Sequence, residues 1–391
     1  MRNFFKRYGY FIFPAAVLLI ILAVKNMNGI SVPNGYYLMH YLFNYSHGFM
    51  TRGFIGHVIS LFTDTVTPGL ASGLQFSFSV LLLISASVCI SIVLKKTDGD
   101  RKIYAFVVML LVLIVFHPQS FAMYFESSYT DKLMIALTLI AVLFAERKHL
   151  IWLVPSICLL CTLISIYYSL HSMILIAIVL LQKFYDSRYS IKNGAVCLLS
   201  YGLIIAVSIY GTSVMYDLSF GSPKEMCEYF LSRYTGDPYS TVQWYVDTVF
   251  VEYFVPMFPG ISYLIENFLN FDSRFWKLVF DLLLLYIPMF AACGYFWLKS
   301  LKSTENKFQK FIFFLCLISP VLTMFPLLIS LEYERHFDVN IQMQICICLY
   351  YLAKRNDAAT SAAARIYDFF AANRQAFYLS AAYFITAVGL L

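Results

Sequence analysis

The chain has 391 residues, of which 60% are hydrophobic and only 13% are charged, and its mean hydropathy is +0.72. This composition excludes a water-soluble globule, because the chain has too little polar surface to cover itself. It indicates a polytopic membrane protein. The formal net charge of +6 lies mainly in short loops between apolar runs, where it anchors helices, so it does not indicate nucleic-acid binding.

Apolar runs that could cross about 30 Å of hydrocarbon recur from one end of the chain to the other. They predict an all-α, polytopic integral membrane protein in which residues 1–391 form a single domain. About eleven transmembrane helices are predicted, near residues 9–27, 73–94, 103–120, 129–145, 150–168, 172–185, 195–215, 276–298, 309–330, 337–353 and 371–391.

The lysines and arginines predict the orientation of these helices. With a cytoplasmic N-terminus, the basic loops "KKTDGDRK", "ERKH" and "LKSLKSTENKFQK" all fall inside, as the positive-inside rule requires. No small-x-small cleavage site follows the first apolar run, so it is predicted to be an uncleaved anchor. We expect a multi-pass protein of the bacterial cytoplasmic membrane.

The stretch "FNYSHGFMTRGFIGH", residues 43–57, follows the first predicted span and is therefore external. It predicts two short helices that lie at the outer leaflet or re-enter it. Arg52 stands near the start of the second helix, where a cation opposes the helix dipole unless an anion such as a phosphate shares the site. The alternative is an arginine that reaches lipid headgroups. His47 is a candidate base, or else a structural polar residue.

A second external cluster, "FHPQSFAMYFESSYTDKL", joins the third and fourth predicted spans. Glu126 is its candidate functional carboxylate, because nothing in the local pattern gives it a structural role. Asp131 follows Ser128 by three residues, directly before an apolar run, which is the pattern of a helix capping box. The pattern therefore favours a structural role for Asp131.

The densest cluster, "SLEYERHFDVN", lies between the ninth and tenth predicted spans and is also external. Ionisable groups at the end of a span commonly mark a functional site, although a solvated turn whose charges satisfy one another is the alternative. The candidates within seven residues are Glu332, Glu334, Arg335, His336 and Asp338.

The one large external loop, residues 216–275, is rich in tyrosine and contains Arg233 and Trp244. Aromatic faces beside polar groups suit the stacking and hydrogen bonding of sugar rings. An interfacial aromatic belt would give the same composition. Trp244 is a candidate substrate-binding residue on the first interpretation.

All the unexplained polar clusters thus fall on one face, and no nucleotide-binding motif is present. Substrates would therefore arrive already activated, as lipid-linked sugars do. Arg52, Arg335 and Arg233 are candidate clamps for a leaving pyrophosphate. A carboxylate, Glu332, Glu334 or Glu126, would activate the acceptor hydroxyl. The chemistry needs no cofactor, and no metal site is predicted.

The hydropathy profile, with "HGFMTRGFIG" after the first span and "LEYERHFD" late in the chain, resembles bacterial polysaccharide polymerases of the O-antigen and capsule type. It also resembles uncharacterised membrane proteins of polysaccharide gene clusters. The resemblance implies that undecaprenyl-pyrophosphate-linked repeat units are joined at the outer face. Its implied partners are the lipid-linked oligosaccharide, membrane lipids, a chain-length regulator and a flippase.

Three alternatives stay open. Membrane glycosyltransferases of the GT-C class use lipid-phosphate sugars, but they usually carry an acidic pair in the first external loop, and residues 28–52 contain no Asp or Glu. A flippase or transporter would place charges nearer mid-bilayer. An acyltransferase would require a histidine within a span, and the pattern shows no obvious one.

The predicted topology is tested by reporter fusions. Fusions at Lys96, Lys148, Ser187 and Lys307 are expected to report the cytoplasm, because the basic loops lie there.

Fusions at Ser46, Ser127, Thr241 and Glu334 are expected to report the outer compartment. A cytoplasmic signal from Thr241 would contradict the placement of all polar clusters on one face.

Overall fold

The computed structural model describes residues 2–27, 30, 32–33, 35–116, 125, 130–214, 217–238, 240–254, 276, 279–280, 282–323 and 333–389. Helices make up most of this part of the chain, and its one β-feature is an isolated bridge between Val66 and Tyr234. The prediction of an all-α protein is confirmed for these residues.

The α-helices are distributed along the whole of the described part of the chain. In chain order they are α1 Arg2–Lys25, α2 Gly35–Leu42, α3 Phe54–Ser60, α4 Pro68–Thr97, α5 Arg101–Phe116, α6 Asp131–Ala145, α7 Val154–Ile164, α8 Ile166–Asp186, α9 Ile191–Val214, α10 Pro223–Ser232, α11 Val242–Tyr245, α12 Ile287–Lys302, α13 Lys307–Leu322, α14 Tyr333–Ala353, α15 Asp357–Ala372 and α16 Arg374–Gly389.

Three described helices are long and apolar enough to cross a membrane: α4, and the segments Ser169–Asp186 of α8 and Ile191–Gly211 of α9. Two shorter apolar segments are Gly9–Lys25 and Ile151–Ile164. The structure thus supports a membrane protein with transmembrane helices. The prediction of about eleven spans is not confirmed, because the remaining described helices lack the length or the apolar composition.

Helix α14 runs through the centre of the bundle and packs on α4, α5, α8, α12 and α13. Every side chain from Arg335 to Leu352 is buried except that of Phe337, which is half-buried. A helix buried on all sides is usually apolar throughout, yet α14 carries buried polar residues at alternating positions from Asp338 to Gln344. The neighbouring helices must therefore supply hydrogen-bond partners for the buried polar side chains of α14.

Two amides show how the middle of α14 is satisfied. Asn340 donates to the Thr323 hydroxyl (2.6 Å) at the end of α13. Gln344 donates to the Ser319 hydroxyl (2.6 Å) and accepts from the indole N–H of Trp297 (3.0 Å). Trp297 is 1% exposed, so this single amide ties α12, α13 and α14 together. Such bonds fix the rotation of α14 about its axis.

One end of the bundle, here called the Lys354 end, is closed by charges that follow α6, α8 and α14. The Lys354 ammonium lies 2.8 Å from Asp186 and 3.6 Å from Glu146. Glu146 also pairs with Lys183 (3.5 Å) and accepts from Tyr350 (2.9 Å). The opposite end, where α6 and α14 begin, is called the Arg335 end.

Helix α15 was not predicted and lies across the Lys354 end. Near its start, Arg355 donates to the backbone carbonyl of Lys96 (2.8 Å). Near its end, Asp368 pairs with Lys102 in the first turn of α5 (2.7 Å). Helix α15 is about 24 Å long, and both of its ends lie at the Lys354 end of the bundle. The helix therefore runs across that end and not along the bundle. Its alanine face, including Ala359 and Ala363, is buried.

At the Arg335 end, α2 and α3 pack against each other with almost no space between them. A Cβ on Gly56 would lie 2.1 Å from the carbonyl oxygen of Phe43 and 2.7 Å from that of Tyr41. Those atoms belong to the backbone and cannot move aside as a side chain can. Residues 35–60, here called the external segment after the predicted topology, therefore form a compact pair of helices, in agreement with the two short helices predicted from the sequence.

We expect Gly56→Ala to lower the free energy of unfolding in detergent micelles by at least about 1–3 kcal/mol, because α2 and α3 must separate. Thermal unfolding followed by tryptophan fluorescence measures the change. The matched control is Gly73→Ala in α4, where a Cβ meets nothing within 4 Å and alanine favours the helix. Equal stability of the Gly56 variant and the wild type would contradict the packing.

Candidate functional site

The centre of the candidate site is a buried ion pair between α6 and α14. Arg335 donates to Oδ2 of Asp131 through Nε (3.1 Å) and Nη2 (2.7 Å). The two side chains are 5% and 0% exposed. The other oxygen of Asp131, Oδ1, accepts no hydrogen bond from the described residues. Two donors on one oxygen fix the plane of the guanidinium relative to α6.

A pair of histidines lies beside this ion pair. Nε2 of His171, on α8, is 2.7 Å from Nδ1 of His336, on α14, so one ring nitrogen donates to the other. Both rings are fully buried. The charges of Arg335 and Arg52 both act on His336, so Arg52 lies within electrostatic range of the first turn of α14.

The remaining buried cation of the site is Lys132, which follows Asp131 on α6. Its ammonium donates to the Ser79 hydroxyl (3.0 Å) on α4, and the side chain is 0% exposed. On the other side of Asp131, the Thr130 hydroxyl is 3.1 Å from Nδ1 of His40, which lies on α2. The start of α6 is therefore held by α4 below and by the external helix pair above. We call Asp131, Lys132, His171, Arg335 and His336 the ionic centre.

The external segment is covered in turn by residues 217–253, here called the cap. The His47 ring contacts the rings of Phe220 and Tyr229, and its centroid lies 4.4 Å from the centroid of each. Its Nδ1 is 2.7 Å from the Ser219 hydroxyl. Gly48 adopts φ +120° and passes directly beside the backbone of Asp217, which a side chain would prevent. His47 is thus part of an aromatic contact between the external segment and the cap.

Arg233 fastens the cap to the external segment through backbone groups. It donates to the carbonyl oxygens of Leu42 and Asp64. Next to it, the amide of Val66 donates to the carbonyl of Arg233 (2.7 Å). These bonds give Arg233, which is 8% exposed, a structural position. The role of substrate clamp stays a prediction for this residue.

Two aromatic residues of the same region differ in their access to solvent. Trp244 is 39% exposed and covers Gly35 at the start of α2, whose Cβ would lie 3.4 Å from the indole. Tyr45 stacks on Phe49 with centroids 5.2 Å apart, and burial raises the pKa of its hydroxyl. Trp244 therefore offers the more accessible aromatic face for a sugar ring.

Of the residues singled out in the sequence, the structure places Arg335 and His336 in the first turn of α14 and Arg52 within electrostatic range of His336. Asp338 is 2% exposed on the same helix. The predicted carboxylates Glu126 and Glu332 lie outside the described residues, as does the side chain of Glu334, whose backbone belongs to α14. Their predicted catalytic roles stay predictions.

The prediction that Asp131 belongs to a capping box is wrong. Helix α6 begins at Asp131 with Thr130 as its N-cap, whereas the capping box required Ser128 in that position. Asp131 instead pairs with Arg335. The sequence does contain a clue to this ion pair, because Asp131 and Lys132 stand together directly before an uninterrupted apolar run. Two adjacent charges at that position need partners from other helices.

His171 was missed as well, and the conclusion that no span contains an obvious histidine is wrong. The span was predicted to begin at residue 172, whereas Ser169–Asp186 is one of the long apolar helical segments and contains His171. Among the described residues, no group of three or more His, Cys, Asp or Glu side chains is arranged to hold a metal ion.

Comparison with known sequences gives one match. Residues 8–183 match the profile of a family described as "Uncharacterised membrane protein Rv1490". The match spans a little less than half of the chain and supports a membrane protein. It includes Arg52, Asp131 and His171 but ends before α14, which carries the partners of the last two. No curated protein and no solved structure matches the chain.

We expect Arg335→Met to lower the free energy of unfolding by about 3–5 kcal/mol, because it leaves the Asp131 carboxylate buried without its partner. Asp131→Leu is expected to cost a similar amount. In the double variant, the loss in the free energy of unfolding is expected to be much smaller than the sum of the two single losses, because no isolated buried charge remains. Chemical unfolding in micelles measures all three.

The control is Lys102→Met, which breaks the exposed pair with Asp368, whose side chains are 49% and 53% exposed. That change is expected to leave the free energy of unfolding nearly unchanged, because water and salt screen an exposed ion pair. Additive losses for Arg335→Met and Asp131→Leu would show that the two side chains do not stabilise each other.

Proposed function

We propose that the protein is a membrane glycosyltransferase that joins lipid-linked oligosaccharides at the Arg335 end, which the predicted topology assigns to the outer face of the cytoplasmic membrane. The observation that carries the proposal is the concentration of basic side chains at this end: Arg335 is bonded to Asp131 at the start of α6, Lys132 follows Asp131, and Arg52 acts electrostatically on His336 of α14. An isoprenoid pyrophosphate donor brings the anion that such a group would bind.

The chemistry of the leaving group supports this substrate class. Transfer of a sugar from a lipid pyrophosphate breaks the anomeric C–O bond and leaves negative charge on the pyrophosphate. Preorganised cations in a site with little water stabilise that charge as it develops. Arg335 is held by Asp131 in a fixed orientation, which is what a bidentate clamp on a phosphate requires. Asp131 is then a positioning residue.

The acceptor hydroxyl must lose a proton as the new glycosidic bond forms. Glu332, Glu334 and Glu126 remain the proposed bases, as the sequence predicts. Asp131 is less suited to this role, because its Oδ2 already accepts two hydrogen bonds from Arg335. His47 packs against the rings of Phe220 and Tyr229, and we assign it to the surface around the entrance to the site.

The cap supports recognition of sugars. Trp244 is partly exposed, and its ring lies over the start of α2, the helix that also carries His40 of the Thr130 contact. Apolar sugar faces stack on such rings while their hydroxyls bind polar neighbours. An acceptor held there would lie on the same side of the bundle as the ionic centre.

Transport is the second candidate, and the histidine pair favours it. Buried ionisable groups between transmembrane helices often form proton paths, and His171 and His336 are in contact inside the bundle. His171 also supplies the intramembrane histidine that an acyltransferase would require. The test must therefore separate chain growth from translocation and from acyl transfer.

The experiment uses purified protein in proteoliposomes with lipid-linked repeat units and no nucleotide. Longer lipid-linked chains are expected by mass spectrometry. Arg52→Ala is expected to reduce their formation by about 10²–10³-fold. Arg52→Lys is expected to stay impaired, because lysine lacks the planar fork of donors. Arg365→Ala, an exposed position on α15, is the matched control and is expected to retain full activity.

Movement of the lipid-linked units across the vesicle without elongation would contradict the glycosyltransferase and favour transport. Products that gain an acyl mass would favour an acyltransferase. Full activity of Arg52→Ala would remove Arg52 from the clamp and leave it as a headgroup anchor.

A further inference from the structure

A cavity of about 950 Å³ lies between α4, α5, α6, α8 and α14, away from the ionic centre. It extends from Lys96, near the end of α4, to Ala86 in the same helix. Ten residues of helix correspond to about 15 Å, so the cavity reaches well into the apolar layer. Its inner wall is apolar, with Leu111, Leu139 and Val142 among the lining residues. This shape suits a hydrocarbon chain.

The part of the cavity at the Lys354 end, here called its mouth, is lined by basic residues. Lys95, Lys96 and Arg147 line it, and all three are exposed. No carboxylate among the described residues forms an ion pair with them. Glu146 also lines the mouth, but it is already bonded to Lys183, Lys354 and Tyr350. The mouth therefore presents uncompensated positive charge directly above an apolar cleft.

We propose that this cavity binds an anionic phospholipid of the bilayer, with an acyl chain between α4, α6 and α14 and the phosphate at Lys95, Lys96 and Arg147. Basic pockets between transmembrane helices bind anionic headgroups, and burial of each methylene of the chain adds favourable free energy. The proposal is independent of the proposed glycosyl transfer.

Two other occupants fit less well. A lipid-linked substrate whose pyrophosphate is bound by Arg335 has that pyrophosphate at the Arg335 end of the bundle. The same pyrophosphate cannot also lie at Lys96, which is at the opposite end. A second copy of the chain, in a two-fold contact at this face, would bring the same cations against each other, which is unfavourable.

The experiment is a lipid titration of the purified protein, followed by native mass spectrometry with phosphatidylglycerol and phosphatidylcholine of identical acyl chains. The wild type is expected to retain phosphatidylglycerol at least about fivefold better, since each basic residue near the headgroup contributes about that factor. The triple variant Lys95→Gln, Lys96→Gln, Arg147→Gln is expected to lose this preference.

The matched control is Lys148→Gln, Lys302→Gln, Lys307→Gln, which removes the same charge from exposed positions at the same end, outside the cavity lining. It is expected to keep the preference. Equal loss in both triple variants would overturn the proposal, because the effect would then follow total charge rather than the cavity.

A fourth variant, Leu143→Trp, fills part of the apolar wall and is expected to reduce retention of both lipids. Size-exclusion profiles identical to the wild type show that each variant is folded. Retention unchanged in Leu143→Trp, or a protein dimer in place of bound lipid, would also overturn the proposal.

Discussion

The contact between Asp131 and Arg335 is the constraint on which the rest of the structure depends. Two charges that are 0% and 5% exposed each cost several kcal/mol to remove from water, and only close, well-directed bonds offset that cost. The pair therefore fixes the start of α6 against the first turn of α14. Once the first turn of α14 is fixed, the side-chain amides farther along this helix must find hydrogen-bond partners. Asn340 and Gln344 find theirs on α12 and at α13.

This arrangement explains why a helix with so many polar residues lies at the centre of the bundle. An apolar central helix could rotate or slide with little loss, because lipid-facing and core-facing contacts are equally apolar. Polar contacts between α14 and three neighbours penalise every such displacement, since each would leave a buried group unsatisfied. The function proposed for the Arg335 end benefits directly, because a clamp on a phosphate requires donors that are already in position.

The sequence predicts the class of protein and much of the helical framework, because apolar runs and basic loops follow directly from the membrane. It also identifies Arg52, Arg335 and His336, which are conspicuous as charges at the ends of apolar runs. Asp131 and His171 were missed for a physical reason. Each has a local explanation, as a cap or as a residue at a span boundary, and its partner on α14 is more than 160 positions away in the chain.

Helix α15 was missed for a different reason. A helix that lies across the end of a bundle needs only one narrow buried stripe, and alanines such as Ala359 and Ala363 form it. Alanine contributes little hydropathy, so a search for spanning segments passes over such a helix. Its contacts, Arg355 with the end of α4 and Asp368 with Lys102, join residues that are far apart in the chain, and the local pattern does not reveal them.

The central claim is that the ionic centre faces the pyrophosphate of a lipid-linked substrate. Photo-crosslinking tests it most directly, with an isoprenoid pyrophosphate sugar that carries a photoreactive group beside the pyrophosphate, followed by peptide mapping of the labelled protein. We expect labels within residues 40–52, at the start of α6 and in the first turns of α14, and we expect them to disappear on competition with unlabelled substrate. Labels confined to the Lys354 end, or to the lipid-facing side of α9, would contradict it.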